Sequence, residues 1–311
     1  MRKVVGWLIA VACLVTGLSG CGWSDPRING QAPTGSGAAA GAADSSQAAD
    51  EVHAAWAIIA GWSLGDPATT KWATMAKTLE DQWLVLTGPN PTHRVARDAQ
   101  IGKATAVTPG PDAIAAADQA LSTIRDASLA RVADARGAVA ALWAALAASA
   151  EQLRLGLTGD YAAPAAVDAS VTLMVKDSDQ AWSDLVNAYH EAIFGVKAAI
   201  GFLEPTGPDA AGFEADLTDL QNHLASLINL SQTVSATPPP GDGIYELPSG
   251  RDRAAALALL AQAQQRLTSA SAVWVASTDD PATAAPYLVD NATLASAYTL
   301  GSAVWPGWPD K

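Results

Sequence analysis

Histidine and glutamate side chains are the groups through which this sequence could bind a metal ion or move a proton. Its four histidines are His53, His93, His190 and His223. A helical bundle holds two iron ions through a Glu on each of two helices and a Glu-x-x-His on each of the other two. No Glu-x-x-His occurs here, because Asn187 lies three residues before His190 and Leu220 three before His223. The usual di-iron ligand pattern is missing, and we predict no metal and no other cofactor.

His190 and Glu191 are the remaining candidates for chemistry, together with His223. Adjacent residues of a helix point about 100° apart, so His190 and Glu191 do not face one metal ion equally well. The pattern favours a hydrogen-bonded histidine at the edge of the core for His190. Two alternatives stay open: a degenerate metal cluster of His190, Glu191 and His223, and contact of these residues with a polar ligand.

Other catalytic arrangements are not predicted either. Neither Gly-x-Gly-x-x-Gly nor a Walker A motif occurs in the chain, so no phosphate-binding loop is indicated. The only cysteines are Cys13 and Cys21, both in the N-terminal segment. We name no catalytic residue and expect a protein that is not an enzyme, although the sequence leaves atypical catalysis open.

Cys21 follows a segment with the features of an export signal. Arg2 and Lys3 precede an apolar run from Val4 to Thr16, and Leu18-Ser19-Gly20-Cys21 comes next. The run is too short for a permanent membrane span and ends in small residues, as processing sites do. The segment resembles the lipobox of bacterial lipoproteins.

That resemblance implies a signal peptide over residues 1–20, cleavage before Cys21, and lipid such as palmitate on the Cys21 sulfur. The protein is then expected on the extracytoplasmic face of the cell membrane, held there by its acyl chains. The alternative is an ordinary cleaved signal followed by a chance cysteine.

The charge balance limits the partners that the chain can bind. With 18 basic and 31 acidic residues it has a formal net charge of -13. Nucleic acid needs a basic face, so we predict no nucleic-acid partner. An acidic surface is not drawn to anionic lipid headgroups either, so membrane attachment is expected to depend on the lipid at Cys21.

Apolar residues at spacings of three and four predict an all-α, up-down helical bundle. Residues 21–45 are poor in large apolar side chains and predict a flexible tether. Seven or eight helices follow in two sets, over 46–160 and 169–311. We expect Asp66-Pro67 and Asp280-Pro281 to open helices, and a break near Gly137. The two sets share one order of helices and loops, which could record a duplication, although their residues match poorly.

Four features of the C-terminal half suggest a family. They are Ala188-Tyr-His-Glu-Ala-Ile-Phe-Gly-Val, the helix containing His223, Pro238-Pro-Pro-Gly-Asp-Gly-Ile-Tyr-Glu-Leu-Pro248, and a helix with Trp274 followed by Trp305-Pro306-Gly307. Residues from about 180 to 308 resemble the ferritin-like domain of unassigned function found in actinobacterial lipoproteins. The resemblance implies a ferritin-like four-helix bundle in the C-terminal half, packed with the second helical set, and it does not imply iron.

The expected function is a metal-free, ferritin-like binding or interaction module at the cell envelope. Its partner is expected to be an unknown protein or a hydrophobic ligand. One alternative is a di-metal protein with atypical ligands. Another is a carrier of a hydrophobic molecule in the tryptophan-rich N-terminal half, where Trp side chains are otherwise expected in the core. These residues are Trp56, Trp62, Trp72, Trp83 and Trp143.

Overall fold

Eight helices make up the described part of the chain, in a computed structural model. The residues described are 36–88, 100–159, 161, 173–202, 208–230, 237–239, 241, 245, 247, 250–297 and 303–308, with the backbone alone for 36–42, 208–211 and 297. The predicted signal peptide over 1–20 and the lipidation site Cys21 lie outside these residues. The stretch between the two predicted sets of helices, 161–168, lies outside them as well, apart from residue 161.

The first four helices are α1 (Ser36–Gly65), α2 (Thr70–Leu86), α3 (Pro111–Asp134) and α4 (Gly137–Thr158). The last four are α5 (Ser178–Phe202), α6 (Pro208–Leu230), α7 (Arg253–Ser277) and α8 (Pro281–Ala297). The described residues contain no β-strand, so the prediction of an all-α helical bundle is confirmed.

Two of the predicted boundaries are wrong. Helix α1 begins at Ser36, inside the stretch predicted as a tether, because its alanines favour helix even without large apolar side chains. Helix α2 begins at Thr70 rather than behind an Asp66 cap, since the Asp66 carboxylate instead accepts a hydrogen bond from the Thr69 hydroxyl at 2.6 Å.

Two other boundaries are confirmed. The chain breaks between α3 and α4, where Gly137 has a φ of 61°, a conformation that favours glycine. Helix α8 starts at Pro281. There the Asp280 carboxylate accepts hydrogen bonds from the Thr283 amide at 3.3 Å and the Thr283 hydroxyl at 2.6 Å, as an N-cap does.

Each set of four helices packs in the same pattern. In the N-terminal bundle α1 contacts α2 and α3, and α3 contacts α4. In the C-terminal bundle α5 contacts α6 and α7, and α7 contacts α8. Between the bundles α4 packs on α8. In addition, α4 contacts α7 and α3 contacts α8, so the fourth helix of each bundle touches the third helix of the other. This is the set of contacts that a twofold axis between α4 and α8 produces.

The buried positions of the two bundles correspond at a constant shift within each helix pair. For α1 and α5 the matching buried residues are Ala48 with Leu185, Val52 with Tyr189, and Ile59 with Val196. For α3 and α7 they are Ala117 with Leu260, Leu121 with Gln264, and Val132 with Val275. The remaining helices give Leu79 and Leu220, and Ala148 and Ala292. The shared order of elements therefore extends to the register of the core, although the side chains differ.

The segment 303–308 joins the two bundles after α8. Gln82 of α2 donates a hydrogen bond to the Val304 carbonyl at 2.9 Å. Gly307 has a φ of 85°, and a Cβ added there would lie 2.4 Å from the Ala272 Cβ on α7. Glycine is therefore needed at position 307 both for the backbone conformation and for the close approach to α7.

None of the described helices combines the length and the apolarity needed to cross a membrane.

Candidate polar site in the C-terminal bundle

The three polar residues singled out from the sequence have three different partners. His223 of α6 lies with its Nε2 3.6 Å from an Asp290 carboxylate oxygen on α8. The Glu191 carboxylate pairs with the Arg266 guanidinium on α7. The His190 ring lies against Gly241, where an added Cβ would be 3.0 Å from the ring. His190 is half-buried at the edge of the core, and the structure does not join the three side chains in one cluster.

No three His, Cys, Asp or Glu side chains in the described part of the chain lie where they could hold one metal ion. His223 instead sits among aromatic rings, with its centroid 6.5 Å from that of Tyr189 and 6.0 Å from that of Tyr287. Tyr287 in turn lies edge-on to Trp274 at 5.5 Å. These are ordinary separations for edge-to-face packing.

The edge of the bundle around Asp290 is electrostatically unfavourable for a carboxylate. Partial burial raises the pKa of Asp290, His223 opposes this rise, and the nearby carboxylates Glu151 and Asp219 add to it. Glu151 itself accepts hydrogen bonds from two guanidinium groups of the N-terminal bundle, Arg125 at 2.9 Å and Arg154 at 2.8 Å. The histidine–aspartate pair of the C-terminal bundle therefore lies near an arginine–glutamate network of the N-terminal bundle.

A chain of neutral polar side chains runs inward from this edge, beginning at Tyr189. Asn291 of α8 is 1% exposed, and Tyr189 and Ser271 are fully buried. The Tyr189 hydroxyl donates to the Asn291 side-chain oxygen at 3.1 Å. The Asn291 amide nitrogen lies 2.9 Å from the Tyr189 hydroxyl and 2.8 Å from the Ser271 hydroxyl. Burial raises the pKa of Tyr189, so its hydroxyl stays protonated and available as a donor.

Gln264 of α7 continues this polar stripe, one helical turn from Thr268 and two from Ser271. Its side chain is 0% exposed, yet neither its amide nitrogen nor its amide oxygen has a hydrogen-bond partner among the residues that the structure describes. Thr268 connects the stripe to α8, since its hydroxyl lies 3.5 Å from the Asn291 carbonyl oxygen. A buried amide without a partner is rare and unfavourable, so Gln264 marks the least satisfied point of the core.

Gln152 of α4 brings a second amide to the same stretch of α8. Its nitrogen donates to the Ala292 carbonyl at 2.6 Å, and its oxygen is buried without a partner. Gln152 is 4% exposed. Gln152 and Gln264 are therefore two buried amides, on helices that both pack on α8, with unused hydrogen-bonding capacity among the described residues.

The polar core is the part of the site that sequence reasoning missed. Gln264 lies four residues after Leu260 and three before Leu267, both buried, so its place on the apolar stripe of α7 was visible in the sequence. Tyr189 and Asn291 gave no such signal, because the helices that supply their partners are far apart in the chain. His223 was found, but its partner Asp290 was not.

The N-terminal half contains one serine motif. Gly61-Trp62-Ser63-Leu64-Gly65 has the spacing Gly-x-Ser-x-Gly, which in hydrolases places a serine on a strand-to-helix turn. Here the motif is the helical end of α1, and Gly61 and Gly65 permit close approach of the Thr105 and Val107 backbone. The two glycines therefore have a packing role, and the geometry is not that of a nucleophile.

Comparison with known proteins gives no relative for this chain: no protein-family model matches it, and neither a curated protein nor a solved structure is significantly similar to it.

Proposed function

We propose that this chain is a lipid-anchored protein of the extracytoplasmic face of the cell membrane, whose ferritin-like helical domain binds a ligand or partner without catalysis. The observation that carries the binding role is the polar core of the C-terminal bundle. A fold of this kind does not require it, since the N-terminal bundle has Val52 and Leu121 where the C-terminal bundle has Tyr189 and Gln264. Retained polar groups of this sort are often functional.

The helix order supports the ferritin-like part of the proposal. The Lys176 amide near the start of α5 donates to the Ser277 hydroxyl at the end of α7 at 3.0 Å, so α5 and α7 are antiparallel. Since α6 returns along α5, α6 and α7 run in the same direction and need a long crossover between them. One long crossover is the connectivity of ferritin-like bundles.

The membrane anchor rests on the sequence around Cys21 and can be tested by cell fractionation. Replacing Cys21 removes the only sulfur that the lipobox presents, so Cys21→Ser is expected to be released from the membrane. Cys13→Ser is the matched control, because Cys13 lies within the apolar run, and it is expected to stay bound. A Cys21→Ser protein that remains in the membrane fraction contradicts the anchor.

Elemental analysis separates the binding module from a di-metal protein with atypical ligands. We expect the purified protein to contain no stoichiometric iron or manganese. A stoichiometric metal that is lost in a His223→Ala or Glu191→Ala variant contradicts the metal-free proposal. Asp66→Ala, far from the C-terminal bundle in the chain, controls for nonspecific loss.

The hydrophobic-carrier alternative gains no support from the tryptophans of the N-terminal half. Trp62 and Trp143 are 1% and 2% exposed, and Trp56 and Trp72 are also buried in the core. Trp62 and Trp72 contact each other edge-on, with ring centroids 5.0 Å apart. These side chains fill the bundle, which is the ordinary role of tryptophan at helical spacing.

A further inference from the structure

The crossover of the N-terminal bundle, between α2 and α3, lies along the first helix of that bundle over its described residues 100–110. The Ile101 carbonyl accepts a hydrogen bond from His53 Nε2 of α1 at 2.8 Å. Further along, the Val107 amide donates to the Gly61 carbonyl of α1 at 2.9 Å. At 1.5 Å per residue, His53 and Gly61 are about 12 Å apart along the helix. The crossover is therefore held to α1 at two points that are about two helical turns apart.

The crossover of the C-terminal bundle, between α6 and α7, follows α5 in the same way. Gly241 lies against the His190 ring, where an added Cβ would be 3.0 Å from the ring. Further along, Tyr245 stacks on Phe194 with ring centroids 4.8 Å apart. This crossover too is held first at a histidine and then closer to the end of the helix.

The two histidines occupy matched positions of the two bundles. His190 follows His53 in the chain at the same interval by which Tyr189 follows Val52, their buried neighbours in the matched core. Two of the four histidines of the chain therefore fall on one matched pair, in bundles whose other matched side chains mostly differ.

Each histidine faces a glycine of the crossover with a positive φ. Gly102 has a φ of 109° and Gly241 a φ of 77°, a region that favours glycine. A Cβ added at Gly102 would lie 3.9 Å from His53 Nε2. The contacts beyond the histidine differ, with a backbone hydrogen bond in one bundle and aromatic stacking in the other. Among the described residues, the histidine–glycine contact is thus the one that both crossovers share.

We propose that His53 and His190 are two copies of one latch, each of which keeps the crossover of its own bundle closed on the first helix and releases independently of the other. His53 acts by donating to the crossover backbone, and His190 by packing its ring on Gly241. Both side chains are half-buried at the edge of the core, so release frees a crossover while the helices stay packed. The inference concerns the crossovers alone and does not depend on the proposed binding function.

Limited proteolysis of the full chain with trypsin tests the latch, because each crossover has an exposed trypsin site, Lys103 in one and Arg251 in the other. His53→Ala is expected to speed cleavage after Lys103 roughly five- to tenfold, the factor that corresponds to one lost hydrogen bond, and to leave cleavage after Arg251 unchanged. His190→Ala is expected to speed cleavage after Arg251 alone.

Exposed residues of the same two helices provide the matched controls. Asp50→Ala on α1 and Lys197→Ala on α5 are expected to leave both cleavage rates unchanged. Acceleration at both sites in either histidine variant reports general unfolding and overturns the proposal, as does acceleration at neither site.

A variant of the crossover gives a readout that does not begin from the loss of a histidine. Gly241→Ala places a Cβ 3.0 Å from the His190 ring at an unfavourable φ, so it is expected to speed cleavage after Arg251. Adding His190→Ala removes the steric part, and the double variant should be cleaved more slowly than the product of the two single effects predicts. Adding His53→Ala instead should leave the Arg251 rate of Gly241→Ala unchanged. A simple product of the single effects for Gly241→Ala with His190→Ala overturns the latch.

Discussion

The two bundles share a packing pattern and a core register, but they fill that register differently. Val52 and Leu121 of the N-terminal bundle correspond to Tyr189 and Gln264 of the C-terminal bundle, and all four are buried. At one further pair of positions the Arg131 guanidinium lies 5.5 Å from the Trp143 ring, where the other bundle has Trp274 against Tyr287. The same backbone arrangement therefore accepts either an apolar or a polar side chain at these matched positions, and each bundle keeps its own set of buried polar residues.

The largest expected effect on stability comes from placing a glutamine at position 121 of the N-terminal bundle, which corresponds to Gln264 of the C-terminal bundle. Leu121→Gln buries an amide beside the apolar residues Ala117 and Ile124 of α3, and the variant is expected to lose about 2–5 kcal/mol of unfolding free energy. Urea unfolding followed by circular dichroism measures the loss. Gln119→Leu, at an exposed position of the same helix, is expected to change stability by less than about 0.5 kcal/mol.

A Leu121→Gln variant as stable as the natural chain would show that both bundles accept a buried amide equally. The contrast between the two cores would then carry no functional meaning.

The next effect concerns the ion pair that fastens α1 to α3 in the N-terminal bundle. Glu51 receives two hydrogen bonds from Arg131 at 2.9 Å, and the two side chains are 14% and 8% exposed. Removing one partner leaves a nearly buried charge, so Glu51→Ala is expected to cost about 3 kcal/mol. Thermal unfolding checks this against Glu80→Ala, whose exposed partner Lys77 is 3.4 Å away and whose loss is expected to be under about 0.5 kcal/mol. Equal losses in the two variants contradict the assignment.

A smaller effect tests the polar network of the C-terminal bundle. Tyr189→Phe removes the hydroxyl that Asn291 contacts through both its oxygen and its nitrogen, so about 1–3 kcal/mol of unfolding free energy is expected to be lost. Tyr287→Phe is the matched control, since no described residue forms a hydrogen bond with its hydroxyl. If Tyr189→Phe leaves the free energy of unfolding in denaturant unchanged, the hydrogen bonds of Tyr189 do not stabilise the core.

The smallest effect is the pH dependence of the half-exposed Asp290. Its pKa is raised chiefly by burial, against the attraction of His223 and with the repulsion of Glu151 and Asp219. The folded state therefore holds this proton more tightly than the unfolded state, so the protonated carboxyl favours folding at low pH. That contribution is lost as pH rises through the folded-state pKa.

Asp290→Asn removes the ionised form and is expected to raise the melting temperature slightly at neutral pH. The gain is expected to stay below about 1 kcal/mol, because the site is open to solvent. It should shrink as pH falls toward the ordinary aspartate value of 3.8. A variant that is less stable than the natural chain at pH 7 would mean that the pair with His223 outweighs burial.

Much of the fold could be predicted from the sequence, because it depends on local periodicity. The spacing of apolar residues predicted seven or eight helices, Gly137 marked a break, and Asp280-Pro281 marked a start. The start of α1 was missed because an alanine-rich stretch has no apolar stripe to reveal a helix. Asp66 failed as a cap because the chain continues through a turn, in which the Asp66 carbonyl accepts from the Thr69 amide at 3.2 Å.

The polar site was harder to predict from the sequence, because it is formed by contacts between helices that are far apart in the chain. Tyr189 and Asn291 are 102 residues apart, and each alone looks like an ordinary residue of an amphipathic helix. The sequence suggested His223 as a partner of His190 because both can bind a metal ion. In the structure His190 lies against Gly241, whereas His223 lies beside Asp290.

The hydrogen bond from Gln82 to the Val304 carbonyl has a consequence for the order in which the chain can fold. Its two ends are 222 residues apart. The Gln82 amide of α2 therefore cannot form this hydrogen bond until nearly the whole chain has been synthesised. If the chain is exported from its N-terminus, the first bundle emerges early and remains open at this point. Segment 303–308 then completes both bundles in one late step, and a chain truncated before Val304 is expected to be cleaved faster by an added protease than the full chain.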